Sequence, residues 1–171
     1  MTDGVGVGMN PAPACDLCAL LAAASGSGSG SDSDAVLWRG ATLSVVQVDD
    51  AAYPGFCRVV WHQHVKEMTD LPEAERSDMM HAVWQVELAV REVMQPDKIN
   101  LASLGNMTPH LHWHVIPRFA DDAQFPDPLW AAARRATAPQ TLAARKALLP
   151  QLRVAIAARM DSLANESLTN R

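Results

Sequence analysis

The sequence predicts an α+β fold, a five-stranded antiparallel sheet with two main helices packed on one side of it. Three observations carry this expectation. Five short runs are rich in Val, Ile, Trp and Leu, and several are joined by links of hairpin length, which favours antiparallel pairing. Two long segments repeat apolar residues at helical spacing. The order along the chain is strands, helix, strands, helix.

Each element follows from local signals. Residues 1–14 are rich in Gly and Pro and are expected to be flexible. Cys15-Asp16-Leu17-Cys18 leads into a short helix through Leu20 and Leu21, and the Gly, Ser and Asp alternation from Ser25 to Asp34 reads as a loop. Val36–Arg39 and Ala41–Val48 are the first two strands, with Gly40 at the turn. A loop with Tyr53-Pro54-Gly55 as its turn signal leads to a third strand, Phe56–Trp61. Thr69 or Asp70 is expected to cap the first long helix, with Pro72 and Glu73 in its first turn. Its apolar stripe is Met79, Met80, Val83, Val86, Val90 and Val93, and Pro96 ends it. Ile99–Leu104 and His110–Pro117 are the fourth and fifth strands. Thr141–Leu163 is mostly a second long helix with the stripe Leu142, Leu149, Leu152, Ile156 and Met160, which Pro150 bends or splits.

Bulk properties narrow the function. The chain has 171 residues, 49% of them hydrophobic, enough for one domain with a real core. The formal net charge of −5 argues against general nucleic-acid or anionic-membrane binding. No run of about 18 apolar residues exists, so no membrane span is expected. The N-terminus lacks a basic segment followed by an apolar core and is not read as a signal peptide. Three cysteines do not make a disulfide framework, and a reducing cytoplasm is the expected compartment.

The chemistry concentrates between Asn106 and Phe119. Three of the six histidines, His110, His112 and His114, alternate with Leu111, Trp113 and Val115. In a strand, alternation puts the imidazoles on one face and the apolar groups on the other. A hydrogen-bonded polar face is one reading. A metal site is a second, since neighbouring same-face side chains can converge on an ion. Nucleophilic catalysis is the third, because a neutral imidazole attacks well near pH 7 and a backbone carbonyl can hold the attacking tautomer. Spacing alone rates the last two equally.

A resemblance separates them. His110-Leu111-His112-Trp113-His114-Val115-Ile116 matches the His-φ-His-φ-His-φ-φ signature (φ apolar) of the histidine-triad (HIT) superfamily, with its bacterial Hint-like and Fhit-like branches. Gly105-Asn106 stands where that family usually has Gly-Gln, and Pro117-Arg118 follows as in many bacterial members. The resemblance covers roughly residues 15–130, leaving 131–171 as a C-terminal helical extension. It implies the HIT fold, which pairs into a homodimer with a continuous sheet across the first long helix and its neighbouring strand. It implies a small-molecule nucleotide as partner and an AMP-like product. His112 would attack the α-phosphorus and form a nucleotidyl-histidine, His114 would bond phosphate oxygens, and His110 would orient its neighbours. Asn106 would contact phosphate or the leaving group. Asp49, or Asp50 by one register step, would take the ribose hydroxyls, with a turn aspartate capping its own loop as an equal reading of Asp49, and Asn100 is a weaker substrate-binding candidate. Phe56 stands where many relatives carry another histidine; it can line a base or ribose pocket but donates nothing to phosphate. Catalysis would need no cofactor. The two alternatives are a metal-dependent hydrolase with the three histidines as ligands, and a nucleotide-binding protein without turnover.

Cys15-x-x-Cys18 has zinc spacing. Some bacterial members of the superfamily close such a site with two histidines, which here implies a structural zinc held by Cys15, Cys18, His64 and His110. Without it the cysteines are small apolar packing groups. Cys57 is expected in the core. Arg58 and Arg118 are expected to flank the site, where they would raise the local positive potential, although a solvated strand-end residue is the commoner reading of each. Trp130 resembles a tryptophan that relatives place near the partner's pocket, although packing on its own core is the favoured reading.

Overall fold

The structure is a computed structural model that describes residues 15–24 and 34–169, with side chains to residue 166. The segment expected to be a flexible N-terminus, and residues 25–33 of the expected loop, lie outside the described residues. The elements are α1 (Asp16–Ala23), β1 (Val36–Arg39), β2 (Leu43–Gln47), β3 (Cys57–Trp61), a 3-10 turn (Met68–Asp70), α2 (Glu73–Met94), β4 (Lys98–Ala102), β5 (His112–Arg118), α3 (Pro139–Lys146) and α4 (Leu149–Thr169). The five strands form one antiparallel sheet in the order β1-β2-β3-β5-β4.

Alternation along the strands assigns the two faces. Leu43, Val45, Cys57, Val59, Trp61, Ile99 and Val115 point to one side and meet α2 and α4 in the main core. α2 contributes Met79, Ala82, Val83, Val86, Ala89 and Val90, all with 0% exposure. Leu152, Ile156 and Met160 of α4 close over that helix. Burying a side chain of this size stabilises the fold by about 1.5–3 kcal/mol. Both long helices therefore share one face, as the pattern predicts. The short α1 lies on the other: its Leu17 and Leu21, one turn apart, pack on Val46 and Val60. That second cover is what brings the cysteine pair to the histidine face.

The local signals hold with adjustments. Gly55 adopts φ +89°, a left-handed value that glycine takes without steric cost, and turns the chain into β3. Gln95 caps α2 in the left-handed region at φ 48°, just before Pro96. Asp70 does not cap α2. Its carboxylate accepts the Lys66 and Glu67 backbone N–H groups and closes the 3-10 turn, and Pro72 occupies the N-cap position. Pro150 splits the C-terminal helix: it sits in the first turn of α4, where a missing N–H costs nothing. β5 enters the ladder at His112 rather than His110, because the His110 N–H bonds Thr108 and the Leu111 N–H bonds Val65. No described helix is long and apolar enough to cross a membrane.

Candidate active site

The histidine row survives as an alternating face and divides into two jobs. His110, His112 and His114 are 1%, 4% and 4% exposed, with Leu111 and Val115 turned into the core behind them. His110 lies under α1, whereas His112 and His114 line an open cavity of about 580 Å³.

His110 Nε2–H donates to the Trp61 carbonyl at 2.6 Å. Its Nδ1 is then the lone-pair nitrogen, and it stands 3.4 Å from Cys15 Sγ and 3.3 Å from Cys18 Sγ. His64 Nδ1 lies 3.3 Å from Cys18 Sγ. One ligand atom from each of Cys15, Cys18, His64 and His110 lies within 4.8 Å of every other. A tetrahedral zinc site with ordinary Zn–S and Zn–N bonds has S···N edges of about 3.5 Å. The four donors thus fit a closed Cys₂His₂ site, and the Trp61 carbonyl supplies the outer partner that orients a ligating imidazole. Burial, and then the adjacent Cys15 thiol, raises the Cys18 thiol above its ordinary value; a cation among the donors would reverse that balance.

His112 is next in the row. Its Nδ1 lies 2.6 Å from the His110 carbonyl oxygen. A carbonyl only accepts, so Nδ1 carries the proton and Nε2 keeps its lone pair. Burial depresses the His112 pKa below its ordinary value, against the His110 carbonyl bond, with Arg58 and His110 lowering it further. The ring is therefore neutral at pH 7. His114, 4.7 Å away between centroids, is driven down to about 3, first by burial and then by the repulsion its cation would meet from a protonated His112 and from Arg58. Neither of its ring nitrogens has a hydrogen-bond partner among the described residues. Two buried orphan nitrogens facing a cavity are costly unless a ligand satisfies them.

The walls come from three segments. Asp50, Tyr53 and Phe56 form one side, Gly105, Asn106 and Thr108 another, and Gln124, Leu129 and Trp130 a third. Phe56 is 3% exposed and meets the His114 ring edge-on at 5.4 Å. Of the two adjacent aspartates, Asp50 lines the cavity and Asp49 does not: Asp50 accepts the Ala52 N–H and turns the chain inward, which leaves Asp49 exposed. Asn100 is also displaced from the cavity. It pairs across β4–β5 with Ile116, and its Oδ1 accepts from Arg118 at 2.7 Å.

Arg118 does not flank the site; it is buried at 2% beneath the third wall. It grips Asp122 through Nε at 2.7 Å and Nη2 at 3.0 Å, and reaches the Asp127 carbonyl at 2.8 Å. Asp122 also accepts the Phe119, Gln124 and Phe125 N–H groups and the Tyr53 hydroxyl, which further bonds Gln124. Burial alone would raise the Asp122 carboxyl, but the Arg118 bonds and the backbone donors outweigh it and hold it below the usual carboxylate range. This knot fixes the segment carrying Gln124, Leu129 and Trp130. An Arg-x-x-x-Asp spacing was its one trace in the sequence. Trp130 is not core: it is 57% exposed, with its ring 5.4 Å from that of His114. His112 and His114 join no group of three or more metal-ligating side chains among the described residues. The row therefore does not close as one three-histidine metal site.

Comparison with known proteins agrees with this geometry. The HIT domain family matches residues 31–121. A histidine triad protein from Bradyrhizobium japonicum is 30% identical, with 71% of this chain and 89% of that one covered and a TM-score of 0.60. Another from Marinobacter aquaeolei VT8 is 27% identical, covering 71% and 90%, with a TM-score of 0.56. A zinc-bound histidine triad family protein from Mycobacterium smegmatis, 20% identical over 86% of this chain and 96% of that one, shares the fold at a TM-score of 0.56. The AP-4-A phosphorylase of Mycobacterium tuberculosis is 31% identical over 78 residues, 42% of this chain. That match spans 40% of the relative's length. With the triad strand, the sheet order and the matched residues in agreement, the chain belongs to the HIT domain family.

Proposed function

We propose that the protein is a nucleotide phosphohydrolase or nucleotidyl transferase acting at the α-phosphate of a nucleotide conjugate. The observation that carries this reading is the His112 tautomer: Nδ1–H held by the His110 carbonyl, in a buried neutral ring that lines a cavity. His112 Nε2 attacks phosphorus, the bond from phosphorus to the leaving group breaks, and the electron pair departs with that group. Water or another acceptor then displaces His112 and releases a nucleoside monophosphate. His114 donates to a phosphate oxygen through one of its orphan nitrogens. Asn106 contacts phosphate or the leaving group, Asp50 accepts from the ribose hydroxyls, and Phe56 packs on the base or ribose. Positioning and charge stabilisation supply most of the acceleration in such chemistry. The similarity to a protein named for AP-4-A phosphorolysis supports a nucleotide-processing site.

The test is hydrolysis of an adenosine phosphoramidate and a dinucleoside polyphosphate by wild type, His112→Ala and His112→Gly. Turnover by wild type of either one, lost in both variants, is expected; three equally inert proteins would end the enzyme reading. Phe56 favours a second reading, a nucleotide-binding protein without turnover, which tight AMP binding to an inert wild type would support.

Two further parts belong to the same reading. Cys15, Cys18, His64 and His110 hold a structural zinc that ties α1 to the sheet and fixes the residue whose carbonyl holds His112. The chain pairs as a homodimer through α2 and the edge strand β4, where Trp84 and Leu88 leave 47% and 42% of their surface exposed. Mass measurement in solution by light scattering at micromolar concentration tests the dimer.

A further inference from the structure

Arg58 has no role in the scheme above, and its surroundings give it one. It sits on β3 directly across from His114 on β5, with both side chains on the cavity face. Directly opposed residues on neighbouring strands hold their side chains within about 5 Å at the base. The guanidinium lies over the Phe56 ring at 5.9 Å. Its buried Nε has no hydrogen-bond partner, and no ion pair among the described residues includes it. Asp50 lines the same cavity, but it accepts the Ala52 N–H through one oxygen and makes no ion pair with Arg58. Arg58 is thus a cation without a counter-charge, beside an imidazole that lacks partners on both nitrogens. Phe56, on the same wall, has no donor to offer.

We propose that Arg58 is the anion-binding residue of this site, sharing a phosphate group with His114, so that the cavity selects an ionised phosphate ester over a neutral nucleoside. The inference rests on the nucleotide reading of the site and adds to it the residue that recognises charge. A guanidinium offers two parallel N–H groups that match two phosphate oxygens, and a histidine donor completes the third contact. The positive charge also meets the negative charge that builds on the equatorial oxygens during displacement.

Calorimetric binding of AMP and adenosine to wild type, Arg58→Leu and Arg58→Lys tests this. Arg58→Leu is expected to weaken AMP roughly 10- to 100-fold, the usual worth of a charge-assisted contact, while adenosine changes by less than about threefold. Arg58→Lys keeps the charge but loses the fork, so its AMP-to-adenosine preference falls at least about threefold and by less than in the leucine variant. It decides the matter alone if the leucine variant does not fold. An unchanged preference in the variants, or equal losses for AMP and adenosine, overturns the role of Arg58 and leaves the nucleotide reading standing. Wild type that binds neither ligand overturns the nucleotide reading, and this inference with it.

Discussion

Replacing Asp122 by alanine should be among the most destabilising single changes outside the hydrophobic core. Arg118 and Asp122 are 2% and 1% exposed and joined at 2.7 Å. Removing the carboxylate leaves a buried guanidinium with only Asn100 and the Asp127 carbonyl as acceptors, and it orphans the Phe119, Gln124 and Phe125 N–H groups. Breaking a buried pair by deleting one partner costs about 3–5 kcal/mol. For a chain of this size each kcal/mol shifts the melting temperature by about 2–4 °C, so Asp122→Ala should melt about 6–20 °C lower. Urea unfolding followed by tryptophan fluorescence measures the free energy directly, with the slope checked for two-state behaviour. Asp122→Asn keeps the shape and an acceptor and should lose about 1.5–3 kcal/mol. The double variant Arg118→Met/Asp122→Leu removes both charges and should recover only the part of the loss due to the unpaired guanidinium, since the Phe119, Gln124 and Phe125 N–H groups still lack their acceptor. A loss below about 1 kcal/mol in Asp122→Ala would refute the claim that this pair braces the third wall of the cavity.

Two other outcomes follow from the site. Protein purified without added metal should carry close to one equivalent of zinc, and Cys18→Ser should lose it and melt lower; less than about a tenth of an equivalent in wild type would rule out the structural metal. The second concerns acid. His114 is held at about 3 against an ordinary 6.5. Its folded state resists protonation, so the stability this gives is present above pH 6.5 and is lost as pH falls toward about 3. The buried Asp122 is depressed from an ordinary 3.8 and adds its own loss only below that value. Melting temperature should therefore fall from pH 6.5 to 4, and less steeply in His114→Gln than in wild type; identical slopes would contradict the buried neutral imidazole.

Much of the site was legible because period and punctuation are local. The alternation from His110 to Val115, the Pro54-Gly55 turn and the stripe of α2 all reached the structure in the predicted roles. What stayed hidden depends on long-range partners. Asp49 and Asp50 differ by one position, and only the turn closed on Ala52 decides which faces the cavity. Asn100 shares the face of His114 in period but belongs to Arg118 in space. Asp70 had the chemistry of an α2 cap and found a nearer pair of N–H groups in the turn before it. The placement of α1 against Val46 and Val60 carries no periodic signal in β2 or β3, because the neighbouring pairs Val45-Val46 and Val59-Val60 put apolar residues on both faces and break the alternation.

The central claim is that His112 Nε2 becomes bonded to phosphorus. Rapid quench of wild type with a nucleotide conjugate, followed by intact-mass and fragment analysis at neutral pH, measures this directly. The expected result is a nucleoside monophosphate adduct, labile in acid, on the fragment carrying His112 and absent from His112→Ala. Turnover at full rate with no adduct at any quench time, or an adduct that persists in His112→Ala, would contradict the account.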